Sequence, residues 1–402
     1  MSLQHLTFRE IDEKALAALV ASGVGESRTL EFKQDLQVAT DEQKVEFLSD
    51  VTALANTDGG DIVFGMRAET GVAKELVGLR NFVPDGRIGQ LENLLRDFVQ
   101  PRLPGLQIEA RVLGNGNHAL LVRAGRSFAA PHMVRHQGVT RFCGRNSNGK
   151  YDLDVQQVRS AFLGSEGMSD KLRNFRLDRI NKLISGGAPV KLTSPHLMVL
   201  HLFPVVSARP DLRLGTMDLQ KLLEKHLVWP MNSRGYGPSF NMDGLIAVSN
   251  AGADGCNSFV QVFRNGFLEA VESETLSPKV LPGGSEPAAI IPGIAWEKRI
   301  LEASSKYVKA MEVLNLPPPY VASVSLLNVR GYVMYAGPRY WGGDGRPVDR
   351  DHLLTDEVLI EDPEKPIWRV FRPLFDQVWN GCGWAASLNY DRDGNWAAEP
   401  IG

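Results

Sequence analysis

At 402 residues the chain is longer than one ordinary core organises, and it reads as two domains. Apolar residues make up 43% and charged residues 23%, the balance of a globular fold in water, and no apolar run approaches the length of a bilayer, which argues against a membrane role. The net charge of −3 argues against a chain devoted as a whole to nucleic acid.

Two further absences narrow the classes. Cys143, Cys256 and Cys382 stand too far apart for a zinc site or a disulfide framework. The start Met1-Ser2-Leu3-Gln4-His5 lacks the basic, apolar and small-residue segments of a secretory signal, so the expected location is the cytoplasm.

In chain order, Glu10 to Val24 has Leu16, Leu19 and Val20 on one helical stripe, and Gly23 and Gly25 end it. Thr29-Leu30-Glu31-Phe32-Lys33 alternates, so Glu31 and Lys33 share one face of a strand. Asp41 is placed to cap a helix running to about Asn56, stopped by Thr57-Asp58-Gly59-Gly60. Asp61 to Gly65 reads as a short buried strand, Ala68 to Gly71 as a turn, and Ile88 to Val99 as an amphipathic helix closed by Pro101. Strands follow at Leu106–Leu113 and His118–Ala124 around a Gly114-Asn115-Gly116-Asn117 turn, then a pair between His132 and Cys143, and a helix from Asp154 to Phe162.

Gly164-Ser165-Glu166-Gly167 is polar and glycine-bearing, and reads as a linker dividing domains 1–165 and 166–402. The second half predicts strands at Leu197–Val205, Gly244–Val248, Phe259–Phe263 and Tyr320–Leu327. A helix near Trp296 to Leu314 carries Trp296, Ile300, Tyr307, Met311 and Leu314 on one side. The fold class expected is mixed α/β in both halves, with the topology of the second undetermined.

Charge is segregated. From Arg102 to Lys150 there are eight basic residues against one acid, whereas from Glu26 to Asp97 fourteen acids face eight bases. Solvated faces explain many such runs; an acidic and a basic half within one domain also suit a site that holds phosphates.

Three linked segments, Glu26-Ser27-Arg28-Thr29-Leu30-Glu31-Phe32-Lys33, Ala53-Leu54-Ala55-Asn56-Thr57-Asp58-Gly59-Gly60 and Ile62-Val63-Phe64-Gly65, resemble in order and spacing the Schlafen AlbA-like domain. Pro131 and Arg141-Phe142-Cys143-Gly144-Arg145-Asn146-Ser147 extend the resemblance over roughly Glu26 to Leu163. It implies nucleic-acid binding and, as in several members, metal-dependent cleavage of transfer or ribosomal RNA; bacterial members are associated with phage defence.

Residue by residue, the resemblance nominates Glu26 and Glu31 as catalytic carboxylates and Mg²⁺ or Mn²⁺ ligands. Glu69 is the acid nearest the third position, where the family has an Asp. Lys33 is suited to balancing developing negative charge. Without the resemblance, Glu31 and Lys33 would be read as a surface ion pair on a strand. Asn56, Gly59 and Gly60 are expected to shape the backbone.

Arg123, Arg141, Arg145 and Lys150 are the candidate RNA contacts, because phosphates are held by Arg and Lys. Gly144 to Lys150 has the GxxxxGK spacing of a phosphate loop, but Tyr151 stands where Ser or Thr would hold a metal, and Asp152 and Leu153 delay the helix. The expected partners are RNA, tRNA first, a second copy as a homodimer, and a trigger ligand or protein at a sensor or regulatory C-terminal half. The competing function is a non-catalytic nucleic-acid-binding or ATP-binding transcriptional regulator.

Overall fold

The computed structural model describes residues 3–397 apart from 4, 5, 7, 128, 148, 209–211, 250, 251, 281–284 and 337–344, and apart from the side chains of 164–166, 168 and 169. Its two compact units are residues 1–170 and 171–402, both mixed α/β.

The first unit begins with α1 (Glu13–Ala21), capped by the Asp12 side chain on the Ala15 N–H. It continues through β1 (Leu30–Lys33), α2 (Asp41–Ala55), β2 (Gly59–Phe64), β3 (Met66–Glu69), β4 (Val72–Leu76), α3 (Pro84–Phe98) and β5 (Val99–Gln100). The rest is β6 (Gln107–Val112), β7 (His118–Gly125), β8 (Met133–His136), β9 (Val139–Asn146), β10 (Gly149–Asp152) and α4 (Val155–Ile184). Thr40, not Asp41, caps α2, with Gln43 completing a reciprocal capping box. The expected turn at Ala68 to Gly71 is the tip of the β3–β4 hairpin.

One sheet has the order β1-β2-β7-β6, with β1 and β2 parallel. A second, β10-β9-β8-β5, is antiparallel. The first sheet has two apolar faces. Leu30, Phe32 and Val63 pack with Leu16 and Leu19 of α1; Ile62 and Phe64 pack with Leu48, Val51 and Leu54 of α2 and Leu91 and Leu95 of α3. Each of these buried side chains contributes about 1.5–3 kcal/mol. Strand alternation therefore turns Glu31 and Lys33 toward the α2 side.

Gly60 is needed where α2 gives way to β2. Its φ is +151° and a Cβ there would fall on the Thr29 carbonyl. Gly60→Ala is expected to cost the first unit about 3 kcal/mol or more. Gly89→Ala, inside α3 with open space around it, should add roughly 1 kcal/mol of stability. Urea unfolding of both variants checks the contrast; equal effects would remove the steric argument.

The expected linker at Gly164 to Gly167 is helical, and the division between units falls inside α4, after Asp170. Two glycines cost a helix about 1 kcal/mol each. Buried Leu172, Arg176, Arg179, Ile180 and Leu183 anchor its second half.

The second unit contains β11 (Leu197–Pro204), α5 (Thr216–Glu224), β12 (Tyr236–Phe240), β13 (Gly244–Ser249), β14 (Ser258–Phe263), β15 (Leu268–Glu272), β16 (Lys279–Val280) and β17 (Pro287–Ala288). After these come β18 (Ile290–Pro292), α6 (Gly293–Val313), β19 (Tyr320–Leu327), β20 (Val333–Tyr335), β21 (His352–Leu354), β22 (Val358–Ile360) and α7 (Ile367–Gly381). Its main sheet, β12-β13-β14-β15-β11-β19-β21 with β22 also on β19, is antiparallel. One face buries Met198, Leu200 and Leu202 with Trp296, Ile300, Tyr307 and Met311 of α6 and Phe371 and Phe375 of α7. The other buries Leu197 and Val199 with Ile180 and Leu183 of α4.

Within that second face lies a charged group. Arg179 donates twice to Glu269, at 3.0 and 2.7 Å, and His201 Nε2 lies 3.1 Å from the same carboxylate. Glu269 and His201 are fully buried. Of the tryptophans, Trp296 and Trp379 are wholly buried, and Trp341 lies outside the described residues.

Candidate functional site

The open edge of β1 is where the expected carboxylates gather. Its far edge is hydrogen-bonded to β2, so on the near edge the Phe32 N–H and the Leu30 carbonyl need other partners. Glu26 Oε1 accepts from Phe32 N at 3.0 Å. The Leu30 carbonyl accepts from Ser27 N at 2.9 Å; Arg145, from β9, donates to the Ser27 carbonyl at 2.9 Å and reaches the Leu30 carbonyl at 3.5 Å. Its guanidinium also makes a very close ion pair with Glu31, and its side chain is only 3% exposed. Arg145 is thus a buried partner of Glu31 in this structure, not a free phosphate contact.

An alternating chain of charge runs onward from Glu31. Lys33 Nζ lies 3.0 Å from Glu31 and 3.3 Å from Asp50; Lys150 Nζ lies 2.8 Å from both Asp50 and Glu46. Burial opposes the charge on Lys33, but Asp50 and Glu31 outweigh it and push the pKa up to about 12. Burial pushes the Asp50 carboxyl up, against the pull of Lys150 and Lys33. Asp50 and Glu46 are one helical turn apart on α2, so this helix ties the strand carrying Glu31 to the strand carrying Lys150.

Other expected contacts are also engaged. Arg123 makes a two-pronged pair with buried Asp61 at 2.6 and 2.9 Å, donates to the Leu6 and Leu3 carbonyls, and lies over the Phe8 ring, so it fastens the N-terminal segment. Arg141 pairs with Asp152 through two 3.0 Å bonds, which hold that carboxyl below its usual pKa, and remains 34% exposed. Glu69 stands at the hairpin tip, 59% exposed, on Arg67 at 3.0 Å. The hairpin touches Glu26 through its backbone, with Glu26 N bonded to the Gly71 carbonyl.

Glu26, Glu31 and Lys33 are therefore brought to one strand, while the Glu69 carboxylate turns away to Arg67. Among the described residues no group of three or more His, Cys, Asp or Glu is placed to hold a metal ion. Both Glu31 oxygens face cations and one Glu26 oxygen is taken by a backbone N–H, so this arrangement does not fit Mg²⁺ or Mn²⁺. The Gly144–Lys150 segment joins β9 to β10, with Asn148 outside the described residues. A strand–turn–strand on which Lys150 is paired with Asp50 and Glu46 lacks the helix a phosphate loop needs.

Sequence reasoning missed Asp50, Glu46 and Asp61. The signal was present: an acid within the buried strand Asp61-Ile62-Val63-Phe64, and one amid the apolar positions of α2, each call for a buried partner. Asn56 does have a backbone role. It donates to the His132 and Cys143 carbonyls at 3.0 and 2.9 Å and accepts from His132 N at 2.6 Å.

The family model described as Schlafen, AlbA_2 matches residues 26–153. No curated protein matches the chain. A crystal structure of the DIP2311 protein from Corynebacterium diphtheriae is similar over 36% of this chain and 31% of that one, at 17% identity and a TM-score of 0.26, so the chain spans under a third of that protein's length. Among the described residues no helix is long and apolar enough to cross a membrane. The family match supports a nucleic-acid-related function, and residues 26–153 are a domain of the Schlafen AlbA_2 family.

Proposed function

We propose that the first unit binds RNA by its phosphate backbone without cutting it, and that the second unit regulates this binding. The observation that carries the reading is the pairing of Glu31 with Arg145 and Lys33 inside a Schlafen AlbA_2 domain. A carboxylate whose oxygens are both engaged by cations positions those cations; it is not a vacant ligand.

A second reading, an endoribonuclease cutting tRNA in antiphage defence with Mg²⁺ or Mn²⁺, draws on the placement of Glu26, Glu31 and Lys33 along one strand edge. Incubating the purified protein with total tRNA and either cation, beside EDTA and Glu31→Gln controls, separates the two. Retained binding with intact tRNA supports the first reading. Discrete fragments that vanish in both controls establish the second.

A further inference from the structure

The arginines that the motif nominates are paired, but two others are not. Arg80 and Arg87 are exposed and have no carboxylate partner among the described residues; Arg87 only donates to Gln90 Oε1, at 3.1 Å. Both line a cleft of about 740 Å³ at the carboxyl ends of the parallel strands β1 and β2, between the segment that follows Lys33 and the start of α3. The segments that line it are tied to the strand ends by backbone bonds, Gly65 N to the Lys33 carbonyl at 2.8 Å and Gly78 N to the Gly65 carbonyl at 2.9 Å. The volume is that of a site for one small ligand or one unit of a polymer, and the carboxyl ends of parallel strands are where open α/β sheets bind ligands.

We propose that this cleft holds one nucleotide unit of a single-stranded RNA, with Arg80 and Arg87 on its phosphodiester; the proposal rests on the RNA-binding reading above. Guanidinium forks match phosphate oxygens. The Gln34 and Gln90 amides offer both donors and acceptors to a base edge, and Leu36 and Phe82 supply an apolar wall. Asp35 also lines the cleft, leaving two arginines against one acid. One surplus positive charge suits the single negative charge of a phosphodiester and suits a nucleoside triphosphate poorly.

The test uses the full chain and a fluorescent single-stranded RNA decamer of mixed sequence, titrated at several salt concentrations. The Arg80→Ala/Arg87→Ala double variant should bind at least tenfold more weakly. The slope of log K against log salt should fall by about 0.7, the value for one phosphate neutralised on a single strand. Arg80→Lys/Arg87→Lys should restore the slope, and Lys14→Ala, on α1, should change neither quantity. Unchanged affinity and slope in the alanine variant would overturn the cleft while leaving RNA binding in place. Absence of RNA binding by the wild type would overturn both readings. Loss of ATP binding alone, with strand binding intact, would make the cleft a mononucleotide pocket and overturn the strand assignment.

Discussion

Arg145→Met is expected to lower the stability of the first unit by about 3–5 kcal/mol, the cost of leaving one member of a buried ion pair alone. Glu31 keeps Lys33, but its other oxygen faces a space that water barely reaches, and the Ser27 carbonyl loses its donor. In the Glu31→Gln/Arg145→Met double variant the uncompensated charge is gone, so much of the loss should return, and a double-mutant cycle gives the coupling directly. All seven tryptophans lie between Trp229 and Trp396, so their emission reports on the second unit. The expected signature is an early transition in circular dichroism with no matching change in tryptophan fluorescence. A loss under about 1 kcal/mol would mean that the pair is solvated and carries little of the fold.

The mirror experiment is Arg179→Met in the second unit, where Glu269 is fully buried and its second partner is the His201 imidazole. A loss of about 3–5 kcal/mol is expected again, now visible in tryptophan emission. This group also sets a pH dependence. Burial holds the His201 pKa below the ordinary 6.5, against the pull of Glu269. Below 6.5 the unfolded chain takes up a proton that the folded one refuses, so stability is intact above that pH and falls as pH drops toward the depressed folded pKa. Although burial opposes it, His201 and Arg179 hold Glu269 below 4.5, and this contribution is lost as pH falls further through its depressed pKa. His201→Gln, which keeps a donor near Glu269, should remove the upper limb and leave the lower. Identical profiles in wild type and variant would show that folding leaves the imidazole's affinity for a proton unchanged.

The elements legible in the sequence are those whose period and burial agree. Asp41 to Ala55, Tyr320 to Leu327 and the apolar stripe from Trp296 to Leu314 were readable because the side chains that set the pattern are the ones that pack. The β3–β4 hairpin and β10 were not, since Met66-Arg67-Ala68-Glu69 and Gly149-Lys150-Tyr151-Asp152 are short and charged, and their strand state comes from neighbours. The Gly164 to Gly167 segment is helical because α4 is held by what its second half packs against, and the division between units falls a few residues on, after Asp170. At the site, strand alternation put Glu31 beside Lys33. Nothing local could show that Arg145, more than a hundred residues on, would neutralise Glu31, or that Asp50 and Asp61 would claim Lys150 and Arg123.

The covering of β1 has a further consequence. A strand with bare N–H and C=O groups is a template on which another chain can lay its own backbone, the first step of polymerisation. Here the Ser27 backbone pairs with Leu30, Glu26 takes the Phe32 N–H, and Arg145 is bonded to the Ser27 carbonyl and paired with Glu31, so an incoming strand would have to displace this covering before gaining its first rung. The residues that draw attention as chemistry also keep the molecule from recruiting copies of itself.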